Sequence, residues 1–247
     1  MAEFHIQVAG HTAAVHSLFE STRDYCREYL TEKGAEFTIV TQPEDLALEQ
    51  QLLLEEALEE GFRIRHFSDP FLERASVQRK FADFVLVHGT ILFHGSAIAV
   101  NGEGYIFAAK SGTGKSTHAR LWQQHLGSNA IMINDDKPFI SVTGEQILVC
   151  GSPWSGKHGL DTNISVPLKG ICFLQRGAEN RIRRLMPRDA LPLLQSNGCP
   201  PLDAQKRIEY HALLETVAAG TALWQMECTK DLQAAAVAYA AMSGKIF

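Results

Sequence analysis

Residues 105–122 read YIFAAKSGTGKSTHARLW, and this stretch decides the fold class. An apolar strand pattern comes first, a glycine-rich loop follows, and a helical pattern runs from about residue 115 to 126. A strand, a loop ending in a Lys-Ser pair and a helix, in that order, are the context that a phosphate-binding loop requires. Backbone N–H groups of residues 111–116 can point at a polyphosphate, and the helix adds the positive end of its dipole. The stretch therefore predicts an α/β protein that binds a nucleotide.

The residues of this loop have separate expected roles. Lys115 can neutralise the β and γ phosphates, and the Ser116 hydroxyl can ligate Mg²⁺. The strict pattern G-x-x-x-x-G-K-[ST] has glycine where this chain has Ala109, and a methyl group fits there if φ is negative. The expected nucleotide-binding residues of the loop are Ser111, Gly112, Thr113, Gly114, Lys115, Ser116 and Thr117.

Two adjacent carboxylates follow a second apolar strand pattern, AIMIN, at residues 130–134. Asp135 and Asp136 would stand at the carboxyl end of that strand, which is the edge where open α/β sheets place their ligands. One carboxylate can hold Mg²⁺, and the other can accept a proton from an attacking hydroxyl. The alternative is that the Asp-Asp pair is only a turn at the end of the strand. The nearby glycine-rich loop favours the catalytic interpretation.

His94 and Lys157 are further candidates outside the loop. His94 lies in ILFHGSAIAV, residues 91–100, which we expect to be one buried strand, and the NGEG turn at residues 101–104 predicts a hairpin. That hairpin would bring His94 to the loop's end of the sheet, although a lone strand histidine is commonly a core residue.

Lys157 lies in GSPWSGKHG, residues 151–159. There Lys157 could reach phosphate oxygens, and Trp154 could close over a ligand. The alternative is that this segment is only an exposed connection.

Composition and charge restrict the function classes. The chain has 247 residues, 45% of them hydrophobic, with 23 Lys and Arg against 28 Asp and Glu, a net charge of −5. A broad nucleic-acid-binding surface would be basic, so we expect no nucleic-acid partner. No signal peptide or membrane-spanning run is evident, and the five cysteines have no paired spacing. We therefore expect a soluble cytoplasmic protein with free thiols.

The pattern along the chain predicts two parts, with a boundary near residue 85. A small N-terminal α/β segment would occupy residues 1–85, and the nucleotide-binding domain residues 86–247. The helix predicted at about 43–60 carries seven acids and no base, which indicates a solvated face or, alternatively, a surface for a basic partner. The other elements expected from the pattern are strands at 4–8, 36–41 and 168–176, helices at 17–30 and 70–87, a hairpin at 138–151, and mostly helix from 187.

Taken together, HGSAIAVNGEGYIFAAKSGTGKST (residues 94–117) and INDD (residues 133–136) resemble a known family. They are similar to the C-terminal catalytic domain of HPr serine kinase/phosphorylases, and more similar still to uncharacterised HPr-kinase-like proteins. The resemblance covers roughly residues 86–176. The family shares its fold with ATP-dependent phosphoenolpyruvate carboxykinase, whose loop also reads SGTGK followed by Ser or Thr. The resemblance implies a mixed-sheet α/β core with a phosphate-binding loop.

The resemblance also implies a role for individual residues. Asp135 resembles the family's general base, Asp136 its metal-associated acid, and His94 a histidine near the reacting phosphate. Arg176, after a strand, resembles a cation on the phosphate side. Thr117 stands where HPr kinases carry an acid, and the family's LEIRG-L-G segment is not found after residue 150. The acceptor is therefore left open.

These observations predict an ATP- and Mg²⁺-dependent kinase. The catalytic residues would be Asp135, His94 and Lys115, the metal would contact Ser116 and Asp136, and Lys157 and Arg176 would help to bind the nucleotide. The acceptor would be a small hydroxyl compound or a serine of a protein or peptide. Two alternatives are a nucleotide-binding regulatory module without turnover and a carboxykinase-like enzyme. The oligomeric state is open, a homo-oligomer included.

Overall fold

The computed structural model describes residues 1–61 and 66–244 as a mixed α/β protein. The chain divides into two compact units, Met1–Val85 and Leu86–Phe247. In the first unit, β1 pairs antiparallel with β2, and β2 pairs parallel with β3. The elements of this unit are β1 (Ala2–Val8), β2 (His11–Ser17), α1 (Glu20–Tyr25), β3 (Phe37–Val40), α2 (Pro43–Glu60) and α3 (Asp69–Val85).

The predicted helix at residues 17–30 is confirmed only in part. The structure has a strand, β2, up to Ser17, and only α1 and a short 3-10 turn at Arg27–Tyr29 are helical. Ala9 and Gly10, with φ of 50° and 88°, form the tight turn that joins β1 to β2. Four consecutive residues of β2, 12–15, are buried, so the alternation that marks a half-exposed strand is absent.

The structure confirms the boundaries predicted for helix α2, about residues 43–60. Pro43 occupies the first turn, and Gln42 and Asp45 form reciprocal capping hydrogen bonds at the start. Gly61 ends the helix in the left-handed region, with φ of 70°. Local residues alone thus fix both ends of this helix.

A buried carboxylate organises the first unit. Glu73, in α3, is fully buried and accepts hydrogen bonds from the Leu18 N–H at 2.5 Å and the Phe19 N–H at 3.2 Å. It also accepts from the hydroxyls of Thr22 and, at 2.6 Å, Thr41. Four donors from three segments therefore converge on one side chain.

We expect Glu73→Gln to lower the free energy of unfolding by about 1 kcal/mol, because its amide NH₂ would face donors that now have an acceptor. Urea unfolding measures this change. Glu56→Gln, at an exposed position of α2, is the matched control and should have no measurable effect. Equal stability of the two variants would contradict the proposed role of the Glu73 carboxylate.

The second unit contains a nine-stranded mixed sheet. Its strand order is β4-β8-β9-β10-β6-β5-β7, with β12 pairing with β10 and β11 pairing with β12. The strands are β4 (Thr90–Leu92), β5 (Ser96–Val100), β6 (Glu103–Ala108), β7 (Ala130–Asn134), β8 (Phe139–Thr143), β9 (Gln146–Cys150), β10 (Ser165–Arg176), β11 (Arg181–Arg184) and β12 (Ala222–Cys228). The helices are α4 (Lys115–Leu126), α5 (Pro187–Ser196), α6 (Ala204–Gly220) and α7 (Leu232–Ser243).

Alternate residues of the central strands enter two different cores. In β6, Ile106 packs in a core with residues of α5 and α6, whereas Phe107 packs in a core with residues of α4 and α7. Because both faces of the sheet are covered, the central strands are apolar almost throughout. This explains why their sequence shows continuous hydrophobic runs.

Strand direction brings three chain segments to one edge of the sheet. β6 and β10 are parallel, and β5 is antiparallel to both β6 and β7, so β6, β7 and β10 run in the same direction. The glycine-rich loop after β6, the two carboxylates after β7 and Arg176 at the end of β10 therefore meet at the carboxyl edge.

One sequence expectation about this sheet is wrong. Residues 91–100 form two strands with different partners, because the N–H groups of His94 and Gly95 bond to the carbonyls of Asn197 and Asp136 instead of continuing a strand. The region after residue 187 is mostly helical, as expected, in α5, α6 and α7, and one strand, β12, also lies within it beside β10. Asn101 and Gly102 (φ of 52° and 80°) form the predicted turn between β5 and β6.

A buried histidine lies on the core-facing side of α4. His118 is 2% exposed, its Nε2 accepts from Trp122 Nε1 at 3.3 Å, and its ring packs edge-on against Phe107. Burial lowers the pKa of His118 from 6.5 to about 4. The imidazole is therefore neutral in the folded protein at neutral pH.

This pKa predicts an acid-sensitive fold. As the pH falls below 6.5, His118 binds a proton in the unfolded state but not in the folded state, where it is protonated only near pH 4. The free energy of unfolding therefore declines across that window. Between about pH 7 and about pH 4.5, this histidine should account for a loss of about 2 kcal/mol. Urea unfolding of wild type and His118→Gln with EDTA present measures the difference. His125→Gln, on the same helix, is the control; a His118 variant as acid-sensitive as that control would contradict the prediction.

Candidate functional site

The glycine-rich loop, residues 109–116, connects β6 to α4. Gly112 and Gly114 have φ of 74° and 125°, which favours glycine at both positions, and the Thr113 N–H bonds to the Lys110 carbonyl at 3.1 Å. Among the described residues other than glycine, only Ala9 and Asn101 have positive φ. Ala109 therefore has the negative φ that its methyl group requires.

Lys115 opens α4 and turns back over the loop. Its side chain is buried, and Nζ donates to the Ala109 carbonyl at 3.0 Å. The ammonium group thus lies inside the curve of the loop that it follows. An anion there would meet both the ammonium and the first N–H groups of α4.

Hydroxyl groups join the loop to the carboxylate pair. Ser116 Oγ, from α4, donates to the Asp135 carbonyl at 3.2 Å, and Ser96 Oγ, from β5, donates to the same carbonyl at 2.9 Å. The two serine oxygens are 3.4 Å apart. Three elements that are distant in sequence therefore meet at one point.

The Asp135 carboxylate is almost completely buried, at 2% exposure. Oδ1 accepts from the Gly156 N–H at 2.6 Å, whereas Oδ2 is buried without a hydrogen-bond partner in the described part of the chain. Burial, with the charge of Asp136 in addition, raises the pKa of Asp135 despite the Gly156 bond. A Cβ on Gly156 would stand 3.2 Å from Oδ1, so little space remains beside this carboxylate.

Asp136 and His94 form the second half of the pair. His94 Nε2 lies 3.3 Å from Asp136 Oδ1, and both side chains are half-buried. Burial opposes ionisation of Asp136, but the bond to His94 and the charges of Lys137 and Lys115 hold its pKa below the usual range. Burial, with these lysines, lowers the pKa of His94 against the opposing effect of Asp136. The pair is thus a carboxylate beside a neutral imidazole at neutral pH.

Sequence reasoning missed Asn134, which fixes the carboxylate turn. Asn134 is fully buried, and its Oδ1 accepts from the N–H groups of Asp136 and Lys137 at 2.8 and 2.6 Å. Its Nδ2 donates to the Ser152 carbonyl at 2.8 Å. An asparagine directly before two aspartates at a strand end is a turn-forming signal that could have identified it.

The loop at residues 151–159 contacts the candidate site through its backbone. The Lys157 side chain is exposed, and the backbone of Gly156 contacts Asp135 instead. Trp154 cannot close over a ligand as the sequence suggested, because its indole is buried and lies edge-on to Phe139.

Arg176 and Thr117 flank the glycine-rich loop. Arg176, at the end of β10, donates from Nη2 to the Gly112 carbonyl at 2.6 Å, so the structure brings its guanidinium to the loop. Thr117 is exposed in the first turn of α4. Arg176 therefore touches the loop directly, as a cation on the phosphate side would.

The oxygen donors at this edge suit a hard cation. Ser116, Asp135 and Asp136 offer a hydroxyl and two carboxylates, which are the ligands that Mg²⁺ prefers, and Asp135 has an oxygen without a hydrogen bond. Within residues 1–61 and 66–244, no group of three or more His, Cys, Asp or Glu side chains forms a metal cluster. No helix in those ranges has the length and apolar character needed to span a membrane.

Comparison with known proteins assigns no family to the chain. No protein-family model matches it, and no curated protein matches it. Among solved structures, the chain is similar to the Hpr(Ser) kinase/phosphatase from Coxiella burnetii, with a TM-score of 0.30 and 8% sequence identity. That alignment covers 51% of this chain and 94% of the other.

Proposed function

We propose that this chain is an ATP- and Mg²⁺-dependent kinase that phosphorylates a hydroxyl group, with residues 86–247 as its catalytic domain. The observation that supports it most is the junction at the Asp135 carbonyl. There Ser116 of the loop and Ser96 of β5 bond to the residue that carries the buried carboxylate. The glycine-rich loop and a buried carboxylate therefore lie next to each other, which supports the proposal.

The loop's role is to bind and orient the nucleotide phosphates. Residues 111–116 present backbone N–H groups, and Lys115 exchanges its bond to the Ala109 carbonyl for phosphate oxygens. Arg176, already bonded to the Gly112 carbonyl, adds a second positive charge beside the loop. Once the nucleotide is bound, these charges are in place before transfer, so they stabilise charge on the transferring phosphoryl group without further reorganisation.

Asp135 is the general base of the proposed reaction. The acceptor hydroxyl forms a bond to the γ-phosphorus, the bond to the β–γ bridging oxygen breaks, ADP leaves, and Asp135 Oδ2 takes the hydroxyl proton. The raised pKa of Asp135 suits a base, while the lowered pKa of Asp136 keeps that carboxylate ionised. The neutral His94 has one N–H group, which donates to Asp136 and holds that carboxylate in position.

Ser116 and Asp136 would hold Mg²⁺, and their oxygen atoms fit that ion. When bound, the ion supplies positive charge to the phosphate oxygens of the nucleotide. Asp135, hydrogen-bonded to the Gly156 N–H, keeps its second oxygen for the proton.

The proposal is tested by nucleotide binding followed by acceptor-dependent turnover. We expect Mg-ATP to raise the melting temperature of the wild-type protein, EDTA to weaken that effect, and ADP to form when a suitable hydroxyl acceptor is present. The acceptor panel starts with free serine and serine-containing peptides, and includes oxaloacetate with CO₂ detection for the carboxykinase alternative.

Each outcome of this test has a distinct meaning. Stabilisation without ADP formation from any acceptor would favour the regulatory module that binds nucleotide without turnover. CO₂ release that depends on oxaloacetate would favour the carboxykinase-like enzyme. No stabilisation by ATP, GTP or pyrophosphate would overturn the proposal.

A further inference from the structure

A cavity of about 310 Å³ lies beside the glycine-rich loop, on the β10 side. Its wall is formed by the ends of β6 and β10, by the middle of β12, by the loop and by the end of α5. The residues that line this cavity are Ala108, Ala109, Lys110, Thr113, Phe173, Leu174, Gln175, Arg176, Leu193, Ser196, Asn197 and Gln225. We call it the β10 cavity.

The β10 cavity is positively charged in a chain whose net charge is negative. Lys110 and Arg176 line it, and no Asp or Glu is among its described lining residues. Arg183 of β11 donates to Gln225, which lines the wall, so a third cation stands one hydrogen bond away. A concave site that presents cations without carboxylates favours an anionic ligand.

The wall of the β10 cavity is bonded directly to the proposed catalytic site. Ala109, which lines it, accepts the hydrogen bond from Lys115 Nζ at 3.0 Å. Asn197, on the α5 side, accepts from the His94 N–H at 3.0 Å. A ligand in this cavity would therefore lie between the loop and the segment between β4 and β5 that carries His94.

The lining residues also limit the size and character of the ligand. Phe173, Leu174 and Leu193 provide apolar surface, and Gln175 and Gln225 provide amides that can orient polar groups. The volume is at the lower end of the range for small-molecule sites. These properties favour a small compound with one anionic group over a serine within a protein.

We infer that the β10 cavity binds the phosphoryl acceptor, a small hydroxyl compound that carries a carboxylate or a phosphate. This inference rests on the proposed kinase function and specifies the substrate class of the same site. Lys110 binds the anionic group, and the amides of Gln175 and Gln225 orient the compound so that its hydroxyl faces the loop.

Binding of three probe compounds tests the inference: glycerol 3-phosphate, D-glycerate and uncharged glycerol. Calorimetric titration is done with saturating Mg-ADP, so that the loop is filled, and again without nucleotide. We expect glycerol 3-phosphate or D-glycerate to bind and glycerol not to bind, and the two anions distinguish a phosphate from a carboxylate. Lys110→Ala should raise the Kd of the bound anion about tenfold, by loss of a charge-assisted bond.

Three more variants keep the test decisive. Ser196→Phe should fill the cavity and abolish anion binding without removing a charge, whereas Lys230→Ala, at an exposed position outside the cavity, should leave the Kd unchanged. Anion binding that Lys110→Ala and Ser196→Phe leave intact but Lys115→Met removes would place the anion in the loop and overturn the inference. So would the failure of both anions to bind while Mg-ADP binds normally. If the nucleotide failed to bind, the kinase proposal would be overturned. The titration without nucleotide would then still show whether the β10 cavity binds an anion.

Discussion

Asp135→Asn should reduce phosphoryl transfer by about 10²–10⁴-fold and leave Mg-ATP binding nearly unchanged, because a general base contributes a factor of that size. The asparagine oxygen can still accept from the Gly156 N–H, so the turn should keep its shape. Its NH₂ group would occupy the position of Oδ2, the oxygen that takes the proton. Transfer of labelled γ-phosphate to the acceptor, with nucleotide Kd measured in parallel, separates the two effects.

Two further variants are compared with Asp135→Asn. Asp24→Asn changes an exposed carboxylate of the first unit and should leave transfer at the wild-type rate. Asp136→Asn should instead raise the Mg²⁺ concentration needed for half-maximal rate, because the proposed role of Asp136 is to hold the ion. Equal transfer rates in wild type and Asp135→Asn would show that Asp135 is not the base.

The parts of the site that the sequence predicts are the local ones. A strand, a loop and a helix follow one another directly around Lys115, so a short stretch of sequence carries the signal for all three. The carboxylates after β7 are likewise visible because strand and turn are adjacent in the chain. Such segments are determined by neighbours in sequence, which is why periodicity and glycine spacing identify them.

The parts that the sequence does not predict depend on contacts between distant segments. The Gly156 N–H reaches Asp135 across 21 residues, and Ser96 reaches the Asp135 carbonyl across 39. Neither residue belongs to a local pattern that distinguishes it from other glycines and serines. β2 escaped prediction for a related reason, since a strand covered by neighbours need not alternate between apolar and polar residues.

Lys115→Met should remove most of the stabilisation that Mg-ATP gives. At a nucleotide concentration of 100 times the Kd, a ligand that binds only the folded state stabilises it by about 2.7 kcal/mol. Loss of the ammonium group that meets the phosphates should raise the Kd about 100-fold, which leaves about 0.4 kcal/mol at the same concentration. Methionine keeps the buried stem of the side chain, so the nucleotide-free protein should remain folded. Thermal unfolding with and without Mg-ATP measures both quantities.

The two variants together separate binding from chemistry. If Lys115→Met loses the nucleotide effect while Asp135→Asn keeps it, the loop binds phosphate and the carboxylate acts only in transfer. Lys230→Ala, which removes an exposed lysine far from the loop in sequence, controls for the loss of a positive charge. If Lys115→Met retained the full stabilisation, the phosphates would have to bind elsewhere. The hydrogen bond from Lys115 Nζ to the Ala109 carbonyl would then only stabilise the conformation of the loop.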